Sequence, residues 1–163
     1  MYISSDTNIW IDFYEVDHLE HPFRLGYDFC ISSVTFEDEL IKSEELRDGL
    51  LQNGLQRVDI SDEELMMALD YQRKYRALSL YDVIALAIAK SRRWVLLSGD
   101  RKLRQAAEKE NVDCHGVIWV YDELLDQGKI TLEERAIAMQ DLIDAVQTGR
   151  CRLPLDELKK RLI

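Results

Sequence analysis

Ser79-Leu80-Tyr81-Asp82-Val83-Ile84-Ala85-Leu86-Ala87-Ile88-Ala89 is followed, four residues on, by Trp94-Val95-Leu96-Leu97-Ser98-Gly99-Asp100. The first stretch opens with a serine and has an acid three positions later, the pattern of a helix capping box. Its interior is apolar all round, so the helix from Asp82 to about Ser91 is expected to lie buried at the centre. The second stretch holds an apolar run without alternation, Trp94 to Leu97, which marks a strand covered on both faces as in a parallel sheet. An amphipathic helix over Asp100 to Asn111 follows it. Strand and helix alternating in this way imply right-handed crossovers and helices on both sides of the sheet.

The flanks extend the same pattern. Tyr2 to Ser5 reads as a short strand feeding a helix through Asn8 to Tyr14. Asp28 to Ser32 reads as a second strand, leading to a helix that carries Phe36, Glu39, Leu40 and Ile41. Arg57 to Ile60 is a brief extended piece, and Ser61 with Glu64 marks another capping box. Val112 to His115 is expected as an edge strand, before helices at roughly Val117–Gln127, Leu132–Thr148 and Pro154–Leu162. The expectation is one α/β domain over residues 1–163: a three-layer α/β/α sandwich with a central, mostly parallel sheet and a helical C-terminal extension from about residue 126. At 163 residues the chain is long enough for one ordinary core. No apolar run approaches the ~20 residues needed to span a bilayer, and no secretory signal is visible at the N-terminus. Three cysteines without a CxxC pair fit a reducing, cytoplasmic setting.

The formal charge of −10 argues against a broad nucleic-acid-binding surface. The charge is uneven, however. Residues 73–104 carry nine basic residues and only two acids, Asp82 and Asp100. Ligands of open parallel sheets bind beyond the carboxyl ends of the strands. Asp6 and Asp100 each follow a strand there, Asp82 lies in the first turn of the central helix, and Glu39 is placed in the first turns of the helix after the second strand. All four acids can reach one sheet edge. Each also has a purely structural reading. Asp6 and Asp100 suit helix caps, Asp82 suits the capping box, and Glu39 suits a solvated face with Glu37, Asp38, Glu44 and Glu45. Capping does not exclude metal binding, because a helix N-terminus keeps a carboxylate ionised.

Ser5-Asp6-Thr7-Asn8, Leu78-Ser79-Leu80-Tyr81-Asp82 with Ile84 to Ala87, and Trp94 to Asp100 resemble, in order and spacing, three acidic blocks of the PIN-domain family. The likeness covers roughly residues 1 to 125 and is to its small members, which include toxin nucleases of prokaryotic toxin–antitoxin pairs. Glu39-Leu40-Ile41 is the weaker match to the remaining block, with Glu37 and Asp38 as competitors, and Gly99 departs from the larger residue usual before the last Asp. The resemblance implies a metal-dependent ribonuclease with Asp6, Glu39, Asp82 and Asp100 as catalytic metal ligands, an RNA substrate, an antitoxin protein as partner and a homodimer. The alternatives are a catalytically silent module that binds RNA or protein, and a structure-specific DNA nuclease.

Carboxylates without Cys or His partners suit Mg²⁺ or Mn²⁺ rather than zinc. Asn8 and Ser98 are expected to orient the ligands, and Arg92, Arg93, Arg101, Lys102 and Arg104 to engage flanking phosphates, unless they form a solvated helix face. His18 and His21 lack further ligands for a zinc site. Trp10 and Trp119 read as core rather than base-stacking platforms.

Overall fold

In the computed structural model, which describes residues 1–41 and 43–163, the N-terminal strand is the hub of the sheet. The strands are β1 (Tyr2–Ser5), β2 (Asp28–Ser32), β3 (Gln56–Val58), β4 (Val95–Leu97) and β5 (Cys114–His115). Their order is β3-β2-β1-β4-β5 and every pairing is parallel. The helices are α1 (Thr7–Glu15), α2 (Ser33–Leu40), α3 (Glu44–Asn53), α4 (Asp62–Lys74), α5 (Leu80–Arg92), α6 (Arg101–Lys109), α7 (Val117–Asp126), α8 (Leu132–Gln147) and α9 (Leu155–Lys159).

Two cores flank the sheet, which makes three layers. Ile3, Phe29, Ile31 and Leu97 pack on one face with Trp10 and Phe13 of α1, Tyr121 of α7 and Met139 and Leu142 of α8. On the other face Leu96 packs with Val83 to Ala89 of α5, Ala68 of α4 and Leu103 of α6. Both faces are therefore apolar, as the unalternating strand sequence requires. The two serines of β1 fasten one layer each. Ser4 Oγ donates to the carbonyl of Ala85 at 2.9 Å, which draws α5 against the sheet. Ser5 Oγ donates to the Cys30 carbonyl at 2.8 Å and accepts from the Trp10 indole at 2.9 Å. Trp10 is fully buried; Trp119 is only half-buried.

Helix starts follow local hydrogen bonding. Capping boxes form at Ser61–Glu64 and Ser79–Asp82, as their spacing predicts, and a third forms at Thr131–Glu134. One helix goes beyond the expectations from sequence. In α3, only Leu46 and Leu50 are buried, so its apolar stripe is too narrow to stand out among Glu44, Glu45 and Asp48. The C-terminal helices share the α1-side core through Met139, Leu142, Ile143 and Leu158. His18 and His21 both bond the Tyr121 hydroxyl through Nδ1, at 2.8 and 3.1 Å, and His18 Nε2 lies 3.0 Å from Asp141. These contacts tie the turn after α1 to α7 and α8. Cys30 and Cys151 are buried thiols, and Cys114 is half-buried.

Glu64 is 2% exposed, yet it carries a charge. It accepts the Ser61 amide at 2.9 Å and a bidentate pair from Arg92 at 2.8 and 2.9 Å, and that guanidinium holds its carboxyl below the usual range. Arg92→Ala leaves this carboxylate buried and unpaired. The expected loss is about 2–4 kcal/mol, toward the low end for a broken buried pair because Arg92 itself keeps some contact with water. Urea denaturation of wild type and variant measures it, and a difference under ~0.5 kcal/mol, the size of an ordinary surface change, would show that the pair does not hold α4 to α5.

Candidate active site

β1 and β4 lie side by side and end at the same edge. The chain leaves β1 toward β2 on one side, while β4 leads to β5 on the other. Their carboxyl ends are thus the point where strand order reverses and an open parallel sheet has its crevice. Asp6 follows β1 directly and caps α1, its Oδ1 accepting the Ile9 amide at 3.0 Å. Asp100 follows β4 and caps α6, accepting the Lys102 amide at 2.8 Å. Ser98 stands between them and is fully buried. Its hydroxyl donates to Asp6 Oδ2 and accepts the Asp100 amide at 3.1 Å. One side chain therefore ties the Asp6 carboxylate after β1 to the Asp100 backbone after β4.

Asp82 enters the same neighbourhood from the first turn of α5. Its Oδ2 accepts the Ser79 amide at 3.0 Å while Ser79 Oγ accepts its own amide at 3.1 Å. Burial pushes the Asp6 carboxyl up to about 7, against hydrogen bonds from Ser98 and Ile9 that favour its ionised form; the charges of Asp82 and Asp100 push the same way as burial. Burial also raises Asp82, the Ser79 bonds oppose it, and the charge of Asp100 adds to the rise. Three acids from three elements thus repel one another at one edge.

Glu39 is not in the first turns of its helix. Ser32, the last residue of β2, already caps α2 by accepting the Thr35 amide at 3.2 Å, so the helix starts at once and Glu39 falls in its last turn, exposed. Thr7, next to Asp6, donates to Glu39 Oε1 at 2.7 Å. Asp38 instead accepts from the Tyr81 hydroxyl, beside Asp82, at 2.9 Å. Glu39 is thereby linked to the Asp6 segment and Asp38 to the Asp82 segment, while Glu37 is exposed.

Among the described residues no three His, Cys, Asp or Glu side chains come close enough to enclose a metal ion. The donors nonetheless fit a hard cation in kind. They are all carboxylate oxygens, and one of them is a nearly buried acid raised by its surroundings. Mg²⁺ is commonly held by one or two carboxylates, its other positions being filled by water and substrate phosphate. Asp6 with Asp82 or Asp100 would suffice for that mode.

The other expected residues divide by position. Ser98 hydrogen-bonds the Asp6 carboxylate and the Asp100 amide. Asn8 makes no hydrogen bond to any of the four acids among the described residues; it is exposed and borders a cleft of about 580 Å³ with Asp100, Arg101 and Lys102. Arg104 follows one turn further along α6. Arg92 and Arg93 are not brought to this edge. They end α5, whose start carries Asp82, and Arg92 is bound by Glu64. Two residues were passed over in the sequence. Thr7 lies inside the quoted motif but its role needs Glu39, 32 positions away. Asp12, four residues after Asn8 on the same helix face, borders the cleft with its carboxyl pushed up to about 6 by burial.

The raised Asp6 carboxyl has a stability consequence. Between its ordinary value of 3.8 and about 7 the folded state binds a proton that the unfolded state has lost. Stability from this group therefore falls as pH rises through that window, and the full cost, at most about 4 kcal/mol, is present above it. Asp6→Asn keeps the cap and removes the charge. In chelator-containing buffer the variant is expected to lose less stability than wild type between pH 5 and pH 8, as read by urea denaturation at both. Parallel pH profiles would show that Asp6 is not destabilised by its site.

The family model DUF3368, described as a PIN domain, matches residues 2–162. The match runs through the C-terminal helices and so extends past the residue 125 limit of the likeness seen in the sequence. A comparison with curated proteins finds no match. Among solved structures, a PilT N-terminus domain protein from the hyperthermophilic archaeon Sulfolobus solfataricus superposes with a TM-score of 0.51 at 14% identity, covering 77% of this chain and 94% of that one. At that identity the likeness supports the fold alone. PIN domains are commonly nucleases and typically use divalent metals. With the family model matching from the first strand to the last helix, this chain belongs to the PIN-domain family.

Proposed function

We propose that this chain is a Mg²⁺- or Mn²⁺-dependent endoribonuclease with Asp6, Asp82 and Asp100 at the β1/β4 edge as its principal metal ligands and Glu39 completing the acidic set. The observation that carries the reading is the Ser98 hydroxyl, which bonds the Asp6 carboxylate and the Asp100 amide from a fully buried position. A cap needs only its own helix amides. Burial and the charges of Asp82 and Asp100 work against the carboxylate that this hydroxyl holds in place, and a bound cation would offset both.

A bound divalent cation supplies an activated water and stabilises the leaving oxygen of a phosphodiester. The chain's own residues do the rest. Helix N-termini turn backbone amides toward the Asp82 and Asp100 oxygens, and Ser98 fixes the Asp6 rotamer. Arg101 and Lys102, exposed at the start of α6 beside Asp100, meet the phosphates that flank the scissile bond. Two exposed cations beside the acids, on a chain of net charge −10, favour a single strand of RNA over a long duplex.

With Mn²⁺ or Mg²⁺, purified wild type is expected to cut single-stranded RNA. Asp6→Asn and Asp100→Asn should lower the rate by at least ~10²-fold, and Ser98→Ala by ~10–100-fold, the range for residues that orient metal ligands. Gel analysis of labelled RNA with added EDTA as control reads this out. RNA binding without cleavage would point instead to the silent module. In its finer form the reading makes the chain the toxin of a toxin–antitoxin pair. Induced expression of wild type should then arrest bacterial growth, and expression of Asp6→Asn should not; growth unaffected by either would remove the toxin role.

A further inference from the structure

The segment after α8, residues 149–154, folds back beside the β4–α6 turn. Three cavities of about 580, 860 and 290 Å³ meet there, and Gly99 and Arg152 border all three. The first reaches Asp100, the second is bordered by Arg101, Arg104 and His115, and the third by Arg104, His115 and Trp119. Together they make a cleft from the candidate active site to an aromatic column. In that column Trp119 stacks on His115 with centroids 4.5 Å apart and planes at 12°, and on Tyr27 at 6.4 Å and 26°. Both His115 and Trp119 keep part of their surface in the open.

The charge of the cleft favours an anionic strand. Asp122 and Glu157 border the far cavity, but Asp122 is bound by Arg135 and Arg161, and Glu157 by Arg161 and Lys160. Arg104 and Arg152 are exposed and hold no acidic partner among the described residues. Glu108 and Asp113 border the middle cavity, where Arg101, Arg104 and Arg152 outnumber them. Burial keeps the His115 ring below its usual range, with Arg104 adding to the effect and Asp113 opposing it, so the imidazole is neutral when a base approaches.

We propose that this cleft carries the RNA strand on one side of the scissile phosphate, with Arg104 and Arg152 on its backbone and one unpaired base stacked against His115 at the end of the Tyr27–Trp119–His115 column. The inference rests on the nuclease reading and adds to it a second wall, supplied by the C-terminal segment. The far cavity lies at the small end of the ~300–1,000 Å³ range of ligand pockets. It has room for one nucleotide and none for a duplex, so the occupant must be single-stranded there. Stacking of a base on an aromatic ring tolerates any base, so this subsite selects for an unpaired nucleotide rather than for a sequence.

The test is fluorescence anisotropy with a labelled single-stranded RNA in Ca²⁺, with each nucleotide made abasic in turn, alongside cleavage in Mn²⁺. His115→Leu is expected to weaken binding of the intact strand about 5- to 150-fold, the range set by one base–aromatic stack. It should have no further effect on the strand abasic at the one matching position. Arg104→Gln and Arg152→Gln should each weaken all strands alike and lower the salt slope by about one phosphate contact. Arg93→Gln, at the other end of α5, should bind as wild type does. Wild type that binds and cleaves while His115→Leu and Arg152→Gln bind equally well would overturn this inference alone. Wild type that binds without cleaving would overturn the nuclease reading, and the abasic pattern would still decide the subsite. Wild type that neither binds nor cleaves would overturn both.

Discussion

The Ser98 hydroxyl is the constraint on which fold and site both depend. It can reach Asp6 only if β1 and β4 pair with Ser5 opposite Leu97. A slip of one residue would turn every side chain of one strand to the other face. Leu97 would leave the core it shares with Trp10, and Ser98 would lose Asp6. The apolar side chains of the two strands thus select the same register as the polar contact beyond their ends. The site inherits the stability of the sheet's centre, since β1 and β4 have a paired strand on each outer side.

Capping and function are not rival explanations for the acids. Asp6 and Asp100 are N-cap residues and Asp82 is the fourth residue of a capping box. Each helix start supplies backbone amides that favour ionised oxygen, and each fixes a rotamer at little cost in side-chain freedom. The helix ends converge because the sheet is parallel, so that every strand-to-helix turn of β1, β2 and β4 opens at one edge. Burial and mutual repulsion work against the arrangement, most strongly at Asp6. Local strain of this kind is characteristic of functional sites, and the surrounding structure holds it: Ser4 pins α5, Ser5 pins Trp10, and Ser98 pins Asp6.

What was legible in the sequence is what short-range chemistry determines. The capping boxes at Ser61 and Ser79, the buried helix and the unalternating strand before Ser98 each state their structure within a few residues. From them the parallel three-layer fold follows by the rules of strand connection. The unreadable parts depend on partners far along the chain. Whether Glu37, Asp38 or Glu39 turns toward the edge is decided by Thr7 and Tyr81. Trp119 is half-buried and stacks on His115, and apolar periodicity carries no signal for that. The narrow stripe of α3 shows the converse case, a helix whose capping Gly54 in the left-handed region says more than its two buried leucines.

The basic stretch shows most clearly why charge along a sequence is not charge on a surface. Arg92 and Arg101 are nine positions apart and look like one cluster. They lie at opposite ends of β4, and the chain reverses its relation to the edge between them. Helix α5 begins at the acids and runs away from them, so that Arg92, ten residues after Asp82, is ~15 Å further along its axis. There the buried carboxylate of Glu64 neutralises it. β4 then carries the chain back, and α6 begins at the acids again with Arg101 and Lys102 in its first turn. Arg152, 50 residues later, comes to the same cleft by way of α8. The cationic surface at the site is therefore assembled from two distant segments, while Arg92 of the apparent sequence cluster serves to hold α4 against α5.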